Sequence, residues 1–130
     1  MRYLLVLLLI FPFQSARAAQ PISISLAECS VIYNVVSMTA QAKGKPETQI
    51  KALRKTSDAY KDAAATQAKA EGQSDGKAYI DKQLPALIEK WDERWLSGDD
   101  VKVLSHMKEN WEWVQYCGKL GKDRGLLPLQ

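Results

Sequence analysis

Residues 109–118 read ENWEWVQYCG, and how Cys117 is read decides the fold. Only one other cysteine, Cys29, exists in the chain. Upstream of Cys117, the residues Leu104, Met107, Trp111 and Val114 lead into it at spacings of three and four, which marks the apolar side of a helix. Gly118 and Gly121 are then expected to stop that helix. Trp113 falls two residues after Trp111, about 200° round the helix, and is therefore expected to point away from the core.

Cys29 belongs to a second helical pattern. Between Ser25 and Gln41, the residues Leu26, Cys29, Tyr33, Val36 and Ala40 share a face. Ser25 and Glu28 have capping-box spacing at its start. The run Lys43-Gly44-Lys45-Pro46 ends this helix and opens another, which extends to about Ala70 and carries Ile50, Leu53, Tyr60, Ala64 and Ala68. Its far half, DAAATQAKAEG (62–72), has few large apolar residues and is expected to pack thinly or lie at an edge. After the turn residues Gly72 to Gly76, a third stripe is formed by Ile80, Leu84, Leu87, Ile88, Trp91 and Trp95. Pro85 lies inside this stripe, where it should kink or break the helix. Ser97 to Asp100 make the last connection, with Asp99 or Asp100 as N-cap of the fourth helix.

Four amphipathic segments with short connections predict an all-α fold, an antiparallel four-helix bundle in up-down-up-down order. In that order the first helix begins at the end where the fourth finishes, so Cys29 and Cys117 meet. A disulfide between them would close a loop of about 90 residues, worth roughly 4 to 5 kcal/mol at most in the chain-entropy picture.

The N-terminus agrees with a crosslink formed outside the cytosol. Met1-Arg2 precedes the apolar run YLLVLLLIFPF (3–13), and small residues follow at Ala16 and Ala18. A basic start, an apolar core and an A-x-A cut site make a secretory signal peptide. Cleavage would follow Ala18. The run is about half of the roughly 20 residues needed to cross a bilayer, so no stable membrane anchor is expected after cleavage. Residues 1–18 are thus read as a removed signal, 19–120 as one helical domain and 121–130 as an irregular tail. The expected location is periplasmic or secreted.

Charge narrows the partners. The full chain has 18 Lys plus Arg against 15 Asp plus Glu. Loss of Arg2 and Arg17 leaves 16 against 15, a net charge of +1. Phosphate backbones are gripped by clustered positive charge, so a nucleic-acid partner is not expected. The densest basic group, Lys51, Arg54 and Lys55, is followed by Asp58 and Asp62.

Catalytic and metal chemistries find little support. His106 is the chain's single histidine, and it lies three turns from Cys117, about 16 Å along a helix, too far for a direct thiol–imidazole pair. Zinc-ligand and haem-attachment spacings are absent. His106 and Glu109 form an H-x-x-E pair, the reverse of the di-iron E-x-x-H order, with no second histidine. Asp92-Glu93 are helix neighbours that point in different directions, and Asp99-Asp100 suit a helix start. Phosphate loops, nucleophile elbows and dinucleotide fingerprints are absent as well. No catalytic residue, metal or cofactor is assigned, and the protein is read as a non-enzyme.

Trp113, flanked by Glu112 and Gln115 with Glu109 one turn earlier, is the expected anchor for a protein partner. The rival reading is a carrier of small apolar ligands, with a pocket lined by Trp91, Trp95 and Trp111. In general plan, an exported helical domain with one Cys29–Cys117 crosslink, the chain resembles two groups of small periplasmic proteins. One is the immunity proteins that neutralise cell-wall-degrading toxins; the other is the acid-stress chaperones. The likeness is one of plan, without a specific motif. The first resemblance implies an inhibitor-like protein that plugs a toxin's cleft by a loop or helix face.

Overall fold

The computed structural model describes residues 20–127. The expected signal segment and its cut site lie outside the described residues, as do residues 128–130 of the tail. Among the described residues all regular structure is helical. The helices are α1 (Ile22–Ala42), α2 (Glu47–Ala70), α3 (Gly76–Trp91), α4 (Asp100–Ser105) and α5 (Met107–Asp123). A five-residue π-helical turn, Asp92–Leu96, extends α3.

Helix α1 is the centre of the molecule. It packs most extensively on α2, then on α3, and more lightly on α5. Leu26, Ala27, Cys29, Val31, Ile32 and Val35 are all buried, so the helix is enclosed on more than one side rather than lying with one face to water. By length and composition α1 is apolar enough to cross a membrane, but most of its apolar window is buried within the fold.

The expected capping box does not form. Helix α1 starts earlier, directly after Pro21, and both Ser25 and Glu28 are buried. Pro21 is itself the N-cap, with extended backbone (φ −56°, ψ 145°), so the helix starts three residues ahead of Ser25. Ser23, buried in the first turn, is satisfied from another helix end: Glu71, just past α2, accepts from the Ser23 N–H at 3.2 Å and from the Ser23 hydroxyl.

Helix α2 ends where the composition indicates, but its far half is not thinly packed. Ala64 and Ala68 are fully buried. Small side chains let neighbouring backbones come close, and the chain uses this twice. A Cβ on Gly76 would stand 2.0 Å from the Ala65 carbonyl oxygen, so α3 begins against the α2 backbone. Across α1 and α2, the Ser30 hydroxyl donates to the Ser57 carbonyl at 2.8 Å and the Ser57 hydroxyl donates to the Ser30 carbonyl at 2.7 Å.

Helix α3 is capped by Asp75, whose carboxylate accepts from Ala78 N–H at 3.0 Å, and it runs without a break through Pro85. Asp99 caps α4, accepting from the amides of Val101 and Lys102 at 3.1 and 3.2 Å. The last helical stretch is interrupted at His106 (φ −101°, ψ 0°), which separates α4 from α5. Neither Gly118 nor Gly121 stops α5; it continues to Asp123, and Gly125 takes the left-handed turn beyond it (φ +69°). The tail therefore begins later than expected, and Leu126 and Leu127 pack back on the core.

The Cys29–Cys117 disulfide is present, with both residues fully buried and their Cα atoms 5.5 Å apart. The crosslink is consistent with an oxidising, extracytosolic compartment. Beside it, Tyr60 of α2 donates a hydrogen bond to the Cys117 carbonyl and stacks on Tyr33 of α1, ring centroids 5.1 Å apart.

Candidate functional site

The tryptophans occupy the reverse of their expected positions on α5. Trp113 is buried, 3% exposed, whereas Trp111 is 60% exposed. The expected anchor group therefore does not form a surface: Glu112 is half-buried, Gln115 exposed, and Glu109 pairs with Arg94 at 3.0 Å. The two tryptophans do point apart, as their spacing requires; the error lay in the phase. Leu104 precedes the interruption at His106 and Met107 is only the first residue after it, so the stripe that they begin does not fix the phase of α5. The inward face of that helix is Asn110, Trp113, Cys117 and Gly121. Cys117 was the available signal. The residue four positions before a buried half-cystine lies only about 40° from it round the helix, and that residue is Trp113.

Trp113 closes a buried polar centre that sequence reasoning missed. Glu28 of α1 is fully buried, and Lys90 and Trp91 both reach it from the end of α3. Its Oε1 accepts from the Lys90 ammonium and from Trp91 Nε1 at 2.9 Å, while Oε2 accepts from Gln20 Nε2 at 3.2 Å. A buried carboxylate costs several kcal/mol in lost hydration unless donors and an opposite charge replace the water, and these three donors do so. The aromatic wall adds to this: Lys90 Nζ lies 5.2 Å from the Trp113 ring centroid and 5.8 Å from that of Trp91. Trp113 stands edge-on to Trp91 at 6.2 Å and to Tyr116 at 5.4 Å. The donors on Glu28 are all internal, so the cluster clamps α1, α3 and α5 together.

The π-helical turn has a second anchor. Arg94 lies over the Trp91 ring at 5.5 Å while pairing with Glu109. The Arg94 carbonyl accepts from Asn110 Nδ2 at 3.3 Å. A π turn widens the backbone ladder and leaves carbonyls to be satisfied from outside; buried Asn110 supplies that donor from α5.

Trp91, Trp95 and Trp111 do not line a common pocket. Trp91 is buried, Trp95 is half-buried with its ring 6.5 Å from Trp91, and Trp111 faces solvent. The open grooves lie elsewhere. One, of about 920 Å³, runs beside the end of α3 and the π turn, and another, of about 520 Å³, lies between α2 and α3 among Asp58, Lys61, Asp62 and Lys77. His106 is half-buried at the α4–α5 junction, and no cluster of potential metal ligands occurs among the described residues.

The most exposed large apolar side chains among the described residues lie along α4 and the start of α5. Val101 is 78% exposed, Leu104 66%, and Met107 and Trp111 are likewise exposed. Val101 and Leu104 belong to α4 and Met107 and Trp111 to the first turns of α5, on either side of the interruption at His106. No protein-family model, curated protein or solved structure matches the chain.

Proposed function

We propose that this is a non-enzymatic, periplasmic binding protein, a four-helix bundle in up-down-up-down order whose α4–α5 face engages a protein partner. The observation that carries the reading is the exposure of Val101, Leu104, Met107 and Trp111 within one short helical stretch. Singly exposed apolar residues are ordinary, but contiguous apolar patches on a monomer mark interaction surfaces. Trp111 is the anchor: an exposed tryptophan buries a large area on docking at small entropic cost. The mode is inhibitor-like, a helix face presented to a partner's cleft, and asks no chemistry of this chain.

The test compares partners recovered from periplasmic extract by wild-type protein, by Leu104→Ala/Trp111→Ala, and by Lys55→Ala as a remote surface control. The reading requires a partner retained by wild type and the control but lost from the double variant. Equal recovery by all three proteins sinks it.

A further inference from the structure

The groove beside α3 carries its own recognition chemistry, independent of the α4–α5 face. Its apolar floor is Met38 of α1 with Pro85, Ile88 and Leu96, and Met38, Ile88 and Leu96 are exposed. Its rim is Glu89, Asp92 and Glu93. The segment 88–96 reads IEKWDERWL, with both signs of charge. The fold sorts them. Lys90 turns inward to Glu28, and Arg94 is held by Glu109 and Trp91. The cations are thus consumed internally, and the carboxylates are left on the groove. Glu93 pairs with Lys102 at 2.6 Å, but neither Glu89 nor Asp92 has an ion-pair partner among the described residues. The π turn puts Asp92, Glu93 and Leu96 along one wall, and such turns recur at functional sites.

We infer that this groove binds a basic amphipathic peptide segment, its apolar side chains seated on Met38, Ile88 and Leu96 and its Lys or Arg side chains paired with Glu89 and Asp92. Charge complementarity selects this occupant: an acidic rim on a chain of near-neutral balance repels an acidic peptide and an anionic membrane surface alike. The apolar floor distinguishes it from a purely hydrophilic polycation.

Fluorescence anisotropy of a labelled leucine–lysine amphipathic peptide, added to the disulfide-intact mature protein, tests this. Expected is saturable binding that weakens by about tenfold or more in Glu89→Gln/Asp92→Asn, that weakens on raising salt, and that is also weakened by Ile88→Ser. Circular dichroism of each variant confirms that the fold is retained. Trp111→Ala should bind the peptide as wild type does, which separates this groove from the face proposed above. The inference is overturned if the double variant binds with unchanged affinity, if wild type gives no saturable binding, or if a leucine–glutamate or an all-lysine peptide binds equally well.

Discussion

The hydroxyl of Tyr60 lies 1.9 Å from the point where a Cβ on Gly121 would stand. Burial, before any other influence, raises the Tyr60 pKa well above the usual phenol range, so the hydroxyl stays protonated and keeps donating to the Cys117 carbonyl. The ring is fully buried and cannot swing aside. Gly121 is therefore the residue that lets α5 settle on α2.

Gly121→Ala is expected to destabilise the fold by about 1–3 kcal/mol through overpacking, in spite of the roughly 1 kcal/mol that alanine gains over glycine in a helix. Gly118, in the same helix, would meet nothing within 4 Å. Gly118→Ala should stabilise by about 0.5–1 kcal/mol. Denaturant melts of the two variants check this; shifts of the same sign would refute the packing argument.

Glu28→Ala removes the acceptor that Lys90, Trp91 and Gln20 share. Lys90 is partly exposed and can be hydrated, but the buried Trp91 N–H loses its acceptor, which costs about 1–3 kcal/mol, so the expected result is a fall in the denaturation midpoint. Trp91 Nε1 should also lose its bonded chemical shift in NMR spectra. A Glu28→Ala protein as stable as wild type would show that the clamp is dispensable.

Reduction of Cys29–Cys117, separated by 88 residues, should cost roughly 4 to 5 kcal/mol at most. Both sulfurs are joined in the disulfide, so thiol labelling should fail in native and in denatured protein alike and proceed only after a reductant is added. Intact mass with and without reductant measures the same pairing, and two free thiols in native material would contradict it.

Trp111 and Trp113 should separate cleanly in fluorescence. Trp111→Phe is expected to remove most iodide-quenchable emission with little loss of stability. Trp113→Phe should leave that emission in place, and Trp113→Ala should cost about 3–5 kcal/mol as a core truncation. Equal quenching losses in the two Phe variants would contradict the burial assigned to them.

Acid should loosen the start of α1. Partial burial of Glu71 favours its neutral form, but the bonds from Ser23 and Gln67, aided by the charge of Arg124, outweigh this and hold its pKa below the ordinary carboxylate value. A depressed folded pKa contributes stability above the unfolded value of about 4.3 and loses it as pH falls through the lower folded value. Stability should therefore drop more steeply below about pH 5 in wild type than in Glu71→Gln. Parallel curves would exclude the bridge.

Much of the fold was legible because its signals are local. The helical stripes of α1 to α3, the turns at Lys43 to Pro46 and Gly72 to Gly76, and the Asp99 cap each depend on residues within a few positions of one another. The Cys29–Cys117 pairing was legible too, since an even cysteine count and the order of the helices suffice for it. Glu28 was misread because a capping box and a buried carboxylate share the same local spacing. Only the arrival of Lys90 and Trp91, more than sixty residues away, distinguishes them.

The sequence by itself thus determined the all-helical class, α1 to α3 in outline with the turns between them, and the crosslink, which follow from periodicity, turn chemistry and cysteine count. The apolar stripe by itself did not decide which side of α5 faces inward; the crosslink at Cys117 and the tertiary packing did. The interruption at His106 uncouples the phase of α5 from that of α4, and the disulfide and the Tyr60–Gly121 approach then fix α5 with Trp113 inside and Trp111 outside. The same packing sorted the charges of residues 89–94, drawing Lys90 and Arg94 to buried or neighbouring carboxylates and leaving Glu89 and Asp92 at the groove. Which charge meets which partner is a property of long-range contact, and no local pattern in the chain encodes it.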